Sequence, residues 1–222
     1  MTAHAEDLQT GQAGISKILQ DCFHCHGAGG ISKEPGFPTI AGQKSEYLRR
    51  QLRNFKHTLQ GASSHLKNAQ FANLREKFPA RRDPKMSLVA VTLSDDDIGL
   101  LVDSLTRMPC QPSDQSNRSS KITQAEAPKI ASRCFGCHET DGVSASAYIP
   151  NLARQDKTYL KKQIKLFRMS AMNDQIHATE AKRTHPIMQN QTFQLNEQDI
   201  DDVTTYFSSL SCQGKNAAVL KH

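Results

Sequence analysis

The chain has 222 residues, of which 37% are hydrophobic and none is tryptophan, and its mean hydropathy is −0.58. No apolar stretch is long enough to predict a membrane span or a secretory signal. The formal net charge of +6 is too small to predict nucleic-acid binding, and the length suits two domains of about 110 residues each.

The first predicted helix, Ile15 to Cys25, runs into the string Cys22-Phe23-His24-Cys25-His26. This C-x-x-C-H pattern is typical of covalent attachment of c-type haem. The two thiols lie on one side of a helical turn and can reach both vinyl groups of the porphyrin, while the next imidazole ligates the iron. Zinc sites and thiol redox centres also use C-x-x-C, but neither explains the histidine that follows.

A second copy of the motif, Cys134-Phe135-Gly136-Cys137-His138, follows the first by 112 residues and ends another predicted helix, Lys129 to His138. The similarity continues downstream, where Thr39 to Phe55 recurs as Asn151 to Phe167 at the same offset. Beyond that point the offset falls to 102, as Met86 matches Met188. The chain is therefore an internal repeat and is predicted to carry two covalently attached haem c groups.

The other predicted elements are also helices. Amphipathic patterns predict helices over Ser45 to His57 and Tyr159 to Arg168. The last helix of each half begins at a capping pair, and the pairs are Ser94 with Asp97 and Asn196 with Asp199. No alternating strand pattern is found, so the predicted fold is all-α, with long loops around each haem.

A polar stretch without periodicity, Gln111 to Ser120, is predicted to link the two halves. The predicted organisation is an N-terminal domain over residues 1–110, a linker over 111–122 and a C-terminal domain over 123–222.

The order of helix, haem motif, loop, helix, methionine loop and terminal helix resembles a class I cytochrome c domain in each half. The tandem arrangement resembles the two-domain, dihaem cytochromes of the cytochrome c4 group. The resemblance covers nearly the whole chain, and its most specific parts besides the haem motifs are Ala41-Gly42-Gln43 and the spacing from Met86 to Ser94.

This resemblance implies the iron ligands. His26 and Met86 would ligate the first iron, and His138 and Met188 the second. A proline twelve residues after each histidine would offer its carbonyl to the other ring nitrogen and fix the imidazole; these prolines are Pro38 and Pro150. The competing candidates for the sixth ligand are Met108, Met169, Met172, His57, His65, His177 and His185.

Cys110 and Cys212 lie outside the family pattern, at equivalent positions just after the two terminal helices. Covalent haem attachment implies an oxidising compartment, in which paired thiols tend to cross-link. A disulfide between the domains is therefore one hypothesis, and two free thiols or an intermolecular bridge are the alternatives.

Haem propionates would reduce the net charge to about +2, which again does not indicate nucleic-acid binding. Basic residues nevertheless form two clusters, and either cluster could simply be a solvated face. The first cluster is Arg75, Lys77, Arg81, Arg82 and Lys85, and the second is Lys157, Lys161, Lys162, Lys165 and Arg168. If the first surrounds an exposed haem edge, it would steer docking to an acidic redox partner.

The resemblance implies a soluble, periplasmic dihaem electron carrier without a catalytic residue. The expected donor is a quinol-oxidising complex or a dehydrogenase, the expected acceptor is a terminal oxidase, and docking at the membrane surface stays open. A signal peptide is expected to have been removed from this chain. The alternatives are a haem subunit of a dehydrogenase complex and a dihaem enzyme such as a thiosulfate dehydrogenase or a peroxidase. The enzyme would require one methionine assignment to be wrong.

Overall fold

The computed structural model describes residues 3–63, 81–110, 127–172 and 182–212. The helices described in the N-terminal half are α1 (Ala3–His26), α2 (Ser45–Ser63), α3 (Pro84–Ala90) and α4 (Asp95–Arg107). Those in the C-terminal half are α5 (Ser132–His138), α6 (Lys157–Met172), α7 (Pro186–Thr192) and α8 (Glu197–Ser209). Short 3-10 turns are formed by Ala28–Gly30 and Lys129–Ala131. The predicted linker over 111–122 and the candidates Arg75, Lys77, His65 and His177 lie outside the described residues.

The terminal helix of each half begins with the predicted capping box. The Ser94 hydroxyl accepts a hydrogen bond from the backbone N–H of Asp97 at 3.0 Å, and the Asp97 carboxylate accepts one from the Ser94 N–H at 2.8 Å. Asn196 and Asp199 form the same pair of bonds at 2.8 and 3.0 Å. A side-chain cap of this kind stabilises a helix by about 1 kcal/mol, so the two short terminal helices have fixed starting points.

Two separate hydrophobic clusters form the cores, one in each half. In the N-terminal half, apolar residues of α4 pack with Leu48 of α2 and with the face of α1 that precedes the haem motif. In the C-terminal half, residues of α8 pack with Leu160 of α6 and with the motif residues Cys134 and Phe135. Each terminal helix thus packs directly against the element that carries a C-x-x-C-H motif, which fixes the motif relative to its domain.

The two halves meet across an interface with approximate two-fold symmetry. The Gln43 side chain donates to the carbonyl of Asn151 at 3.0 Å and accepts from its N–H at 2.8 Å. The Gln155 side chain makes the equivalent pair of bonds to the backbone of Thr39, at 2.9 and 2.7 Å. Each glutamine therefore satisfies a donor and an acceptor of the opposite half, and both side chains are buried.

A disulfide between Cys110 and Cys212, whose Cα atoms are 6.1 Å apart, joins the two halves covalently beside these glutamines. Of the alternatives left open by the sequence, the structure contains the cross-link within the chain.

A two-stranded antiparallel ribbon also crosses the interface. It pairs Arg81–Arg82 with Lys182–Arg183, with Arg81 opposite Arg183. The sequence shows no alternating pattern at these four residues, and the rest of the described fold is helical, as predicted. A two-residue strand is too short to show the alternation from which strands are recognised, and this one forms only when the halves come together.

Replacing Gln43 with alanine tests the interface. The substitution leaves the partly buried N–H and carbonyl of Asn151 without their partner, so we expect the free energy of unfolding to fall by about 1–3 kcal/mol. Chemical denaturation of the holoprotein measures this change. The control is Gln198→Ala, which removes only an exposed bond to Asp202 and should change stability by less than about 0.5 kcal/mol. Equal losses of stability in the two variants would contradict the conclusion that the bonds of Gln43 stabilise the interface between the halves.

Candidate haem-binding sites

The first haem motif lies in the last turn of α1, which ends at His26. Cys22 and Cys25 are free thiols, the first partly buried and the second exposed. Burial, with a smaller contribution from the charge of Asp21, raises the pKa of Cys22 to about 11. A thiolate redox centre requires the opposite shift, so the site does not have the electrostatics of a dithiol oxidoreductase.

The second motif is presented in the same way at the end of α5, which terminates at His138. Cys134 and Cys137 are also free, and burial raises the pKa of Cys134 to about 11. Within the described part of the chain, no group of three or more His, Cys, Asp or Glu side chains is placed to hold a metal ion by itself. The cysteine pairs are therefore not assembled into a zinc site among those residues.

Both motif histidines are buried and oriented by a backbone carbonyl. The Nδ1 of His26 lies 2.9 Å from the carbonyl oxygen of Pro38, and that of His138 lies 3.0 Å from the carbonyl oxygen of Pro150. These are the hydrogen bonds predicted from the sequence. A bond at Nδ1 leaves Nε2 as the nitrogen available for a metal and raises its basicity.

Desolvation favours the neutral form of these two imidazoles. Burial is the largest cause that lowers the pKa of both His26 and His138, against the opposing effect of the proline carbonyls. A neutral imidazole is the form that ligates iron. The donor set in each half, two free thiols beside a neutral and oriented imidazole, thus fits a covalently bound haem.

The two methionines occupy equivalent positions. Each is the third residue of a short helix that begins with proline, Met86 in α3 and Met188 in α7, and each is partly buried. Asp83 caps the first helix by accepting from the Met86 N–H at 3.2 Å. His185 caps the second by accepting from the Met188 N–H at 3.5 Å. The two helices therefore have different capping residues, Asp83 and His185, but the same position for the methionine relative to the helix start.

The competing ligands are placed less favourably where the structure describes them. Met169 and Met172 are 48% and 71% exposed on α6. Met108 follows the end of α4 and packs against the N-terminal core, and His57 is exposed near the end of α2. His185 already uses Nδ1 as a helix cap.

Arg81 does not belong to an exposed basic face as the first cluster predicted. Its side chain is buried at the interface, where its guanidinium donates to Tyr47, Gln51 and Tyr159. Sequence reasoning missed this role, although Arg81 and Arg183 match at the same offset of 102 residues that relates the methionines.

The second basic cluster lies along α6 and is largely neutralised by acidic side chains. Lys157 and Lys161 contact Asp201, Lys165 and Arg168 contact Glu197, and Lys162 contacts Asp83. These ion pairs are partly exposed, so each contributes little stability. They reduce the positive field that this helix would present to a partner.

The cytochrome c family model matches residues 12–105 and 124–211. The chain belongs to the cytochrome c family and contains two of its domains in tandem. Each domain binds haem c covalently, so the protein is a dihaem c-type cytochrome that transfers electrons.

The comparisons also confirm the resemblance to the cytochrome c4 group. Over 220 residues the chain is 28% identical to a cytochrome c4 of Pseudomonas aeruginosa, covering 94% of this chain and 91% of that protein. It is 25% identical to a thiosulfate dehydrogenase electron acceptor of Stutzerimonas stutzeri, covering 95% and 89%.

The fold matches the crystal structure of reduced recombinant cytochrome c4 from Pseudomonas stutzeri with a TM-score of 0.62 at 24% identity. The match covers 90% of this chain and 98% of that one. In the described ranges, none of the helices is long and apolar enough to cross a membrane.

Proposed function

We propose that this protein carries electrons between redox partners in the periplasm, with His26 and Met86 as ligands of one haem iron and His138 and Met188 as ligands of the other. The observation that carries the proposal is the pair of equivalent methionines, each at the third position of a proline-initiated helix. When bound, each haem supplies one-electron chemistry at its iron. Two saturated coordination spheres leave no open position for a substrate, which favours electron transfer over catalysis.

The chain's own residues favour rapid electron exchange by staying fixed. Pro38 and Pro150 hold the imidazoles, and the capped helices hold the methionines. A thioether stabilises ferrous iron and raises the reduction potential, so both centres should be high-potential. Ligands held in this way need little rearrangement when the iron changes valence.

Potentiometric titration of the holoprotein, followed through the visible haem bands and the near-red band of thioether-ligated ferric haem, tests this function. Two high-potential centres that both show the near-red band are the expected result. A centre with low potential, or without that band, would have a different or open sixth position. That outcome would make the dihaem enzyme the better assignment.

Dehydrogenases are the proposed class of electron donor. A relative covering most of the chain is named a thiosulfate dehydrogenase electron acceptor, and a dehydrogenase is one of the two donors, beside a quinol-oxidising complex, that the family resemblance implies. The purified ferric protein should therefore be reduced when a thiosulfate dehydrogenase and thiosulfate are added together. Thiosulfate alone should leave it ferric, whereas reduction by thiosulfate alone would indicate that the chain itself is the enzyme. The proposed acceptor is a terminal oxidase.

One observation favours the second candidate, a haem subunit of a dehydrogenase complex. The α7 helix around Met188 has no charged residue, and Ile187 and nearby Phe193 are 60% and 53% exposed. An exposed apolar patch of this kind is typical of protein contacts. Co-purification of the tagged protein with a stable dehydrogenase partner at high salt would support the subunit, and recovery of the cytochrome alone would support the free carrier.

A further inference from the structure

Two short loops carry the prolines that orient the motif histidines. The first is residues 35–39, with Pro38, and the second is residues 147–151, with Pro150; we call them the histidine loops. A proline has no backbone N–H, and the carbonyl of each of these prolines is already used by an imidazole, at 2.9 or 3.0 Å. The position of that carbonyl therefore depends on the bonds that the neighbouring loop residues make.

The first histidine loop is held on both sides of Pro38 by the C-terminal half. Before the proline, the N–H of Gly36 donates to the carboxylate of Asp156 at 2.7 Å. After the proline, the N–H of Thr39 donates to the side chain of Gln155 at 2.7 Å, and the Thr39 carbonyl accepts from the same side chain at 2.9 Å. Both partners lie in the two residues before α6, so the start of that helix holds the loop of the other half.

The second histidine loop is held in the same way by the N-terminal half. Before Pro150, the carbonyl of Tyr148 accepts from the guanidinium of Arg50 on α2 at 3.0 Å. After the proline, the Gln43 side chain accepts from the N–H of Asn151 and donates to its carbonyl. Each proline therefore lies between two contacts that come from the opposite half.

The two glutamines are equivalent residues of the repeat, whereas the charged contacts differ. Gln43 and Gln155 are separated by the repeat offset of 112 residues, and Asp156 stands where the N-terminal half has Lys44. The Asp156 carboxylate also accepts from the N–H of Tyr159 at 2.7 Å, so it caps α6 and holds the first loop together. The glutamine is the contact that both histidine loops share.

A short series of contacts connects each glutamine to an iron-binding imidazole. Gln155 holds Thr39, which is the residue bonded to Pro38. The Pro38 carbonyl in turn holds the ring of His26. A hydrogen bond weakens when its distance or angle departs from the preferred geometry. A displaced carbonyl would therefore hold the imidazole less firmly and make it less basic.

We propose that Gln43 and Gln155 each position the iron-binding histidine of the opposite half. Gln155 acts on His26 through the first histidine loop, and the second loop connects Gln43 to His138 in the same manner. The inference rests on the proposed function, because it takes the two motif histidines as iron ligands. A substitution in one half should then change the haem site of the other half, which a role confined to one domain would not produce.

The experiment compares the holoprotein variants Gln43→Ala and Gln155→Ala with the unmodified protein. In the ferrous state, NMR of 15N-labelled histidine follows the Nδ1–H of each iron-bound imidazole, and its exchange with solvent reports the bond to the proline carbonyl. We expect this exchange to become about tenfold faster at His26 in Gln155→Ala, since a hydrogen bond contributes about 1 kcal/mol, and to stay unchanged at His138. Gln43→Ala should give the reverse pattern. Gln198→Ala, an exposed change on α8, should alter neither histidine.

The reduction potentials provide a second readout on the same proteins. A less basic imidazole stabilises ferric iron less well, so the reduction equilibrium constant of the haem in the opposite half should rise about threefold in each glutamine variant. Threefold corresponds to about 28 mV for one electron, at about 59 mV for each tenfold change. The haem in the mutated half should keep its potential.

Two variants of Asp156 separate positioning by a hydrogen bond from general loss of stability. Asp156→Asn keeps an oxygen that can accept from Gly36 and cap α6, whereas Asp156→Ala removes it. We expect Asp156→Ala to speed exchange at His26 and Asp156→Asn to leave it close to that of the unmodified protein.

Three outcomes would overturn the proposal. Equal changes at both haems in each glutamine variant would mean that the halves have separated, and a change confined to the haem of the mutated half would place the effect within one domain. Unchanged exchange at both histidines would reject positioning by the glutamines. Two thioether-ligated, high-potential haems in the unmodified protein would in each case leave the electron carrier intact. If His26 and His138 give no iron-bound imidazole signals in the unmodified protein, the ligand set itself is wrong, and both proposals fail.

Discussion

Replacing Cys110 and Cys212 together with alanine is expected to lower the free energy of unfolding by about 4–5 kcal/mol. The disulfide spans 102 residues and closes a loop that contains most of the C-terminal half. In the chain-entropy account, the cross-link acts mainly by restricting the unfolded chain, and the effect grows with loop length. The same substitution also removes the covalent bond between the halves, so the interface must then rest on contacts such as those of Gln43, Gln155 and Arg81.

Urea unfolding of the oxidised holoproteins, followed by far-UV circular dichroism and by the haem bands, measures the loss. The single variants Cys110→Ala and Cys212→Ala serve as controls, because each removes the same cross-link and should lose a similar amount. We expect the double variant to unfold over a broader range than the parent as the halves lose their coupling. An unchanged midpoint would mean that the unfolded chain is not restricted by this bond.

The haem chemistry was predictable from sequence because covalent attachment needs neighbouring residues. Two thiols and an imidazole must share one helical turn, so the motifs at Cys22 to His26 and Cys134 to His138 are complete in five letters. The carbonyls of Pro38 and Pro150 and the capping boxes at Ser94 and Asn196 are similarly local, and the structure contains all of them. Spacing along the chain is itself the physical constraint in these cases.

The interface was predictable only in part, because its contacts join residues that are far apart in the chain. Equivalent placement suggested a bond between Cys110 and Cys212 but contained no distance, so the alternatives stayed open until the Cα separation was known. In the sequence, Arg81 could not be distinguished from the other basic residues of its cluster. Its burial depends on Tyr159 and on the ribbon with Arg183, which no local pattern encodes.

Replacing Met188 with histidine is expected to give the largest functional change. If Met188 ligates the second iron, an imidazole in its place removes the thioether that stabilises the ferrous state. The potential of that haem should fall by a large share of the roughly 0.8 V range over which axial ligands set haem potentials. Half of the near-red absorbance should disappear. The first haem should keep its band, and its potential should change little because the substitution adds no charge.

Two matched variants separate ligation from mere packing. Met172→His places the same imidazole on an exposed position of α6 and should leave both potentials and both bands unchanged. His185→Gln removes the competing imidazole while retaining a side chain that can accept from the Met188 N–H, and it should also preserve the band. A Met188→His protein that keeps the full near-red absorbance would require another thioether, such as Met169. If the single variant His185→Gln, in which Met188 is unchanged, loses the near-red band, the cap of α7 is needed to position the methionine. The helix start and the ligand are only three residues apart.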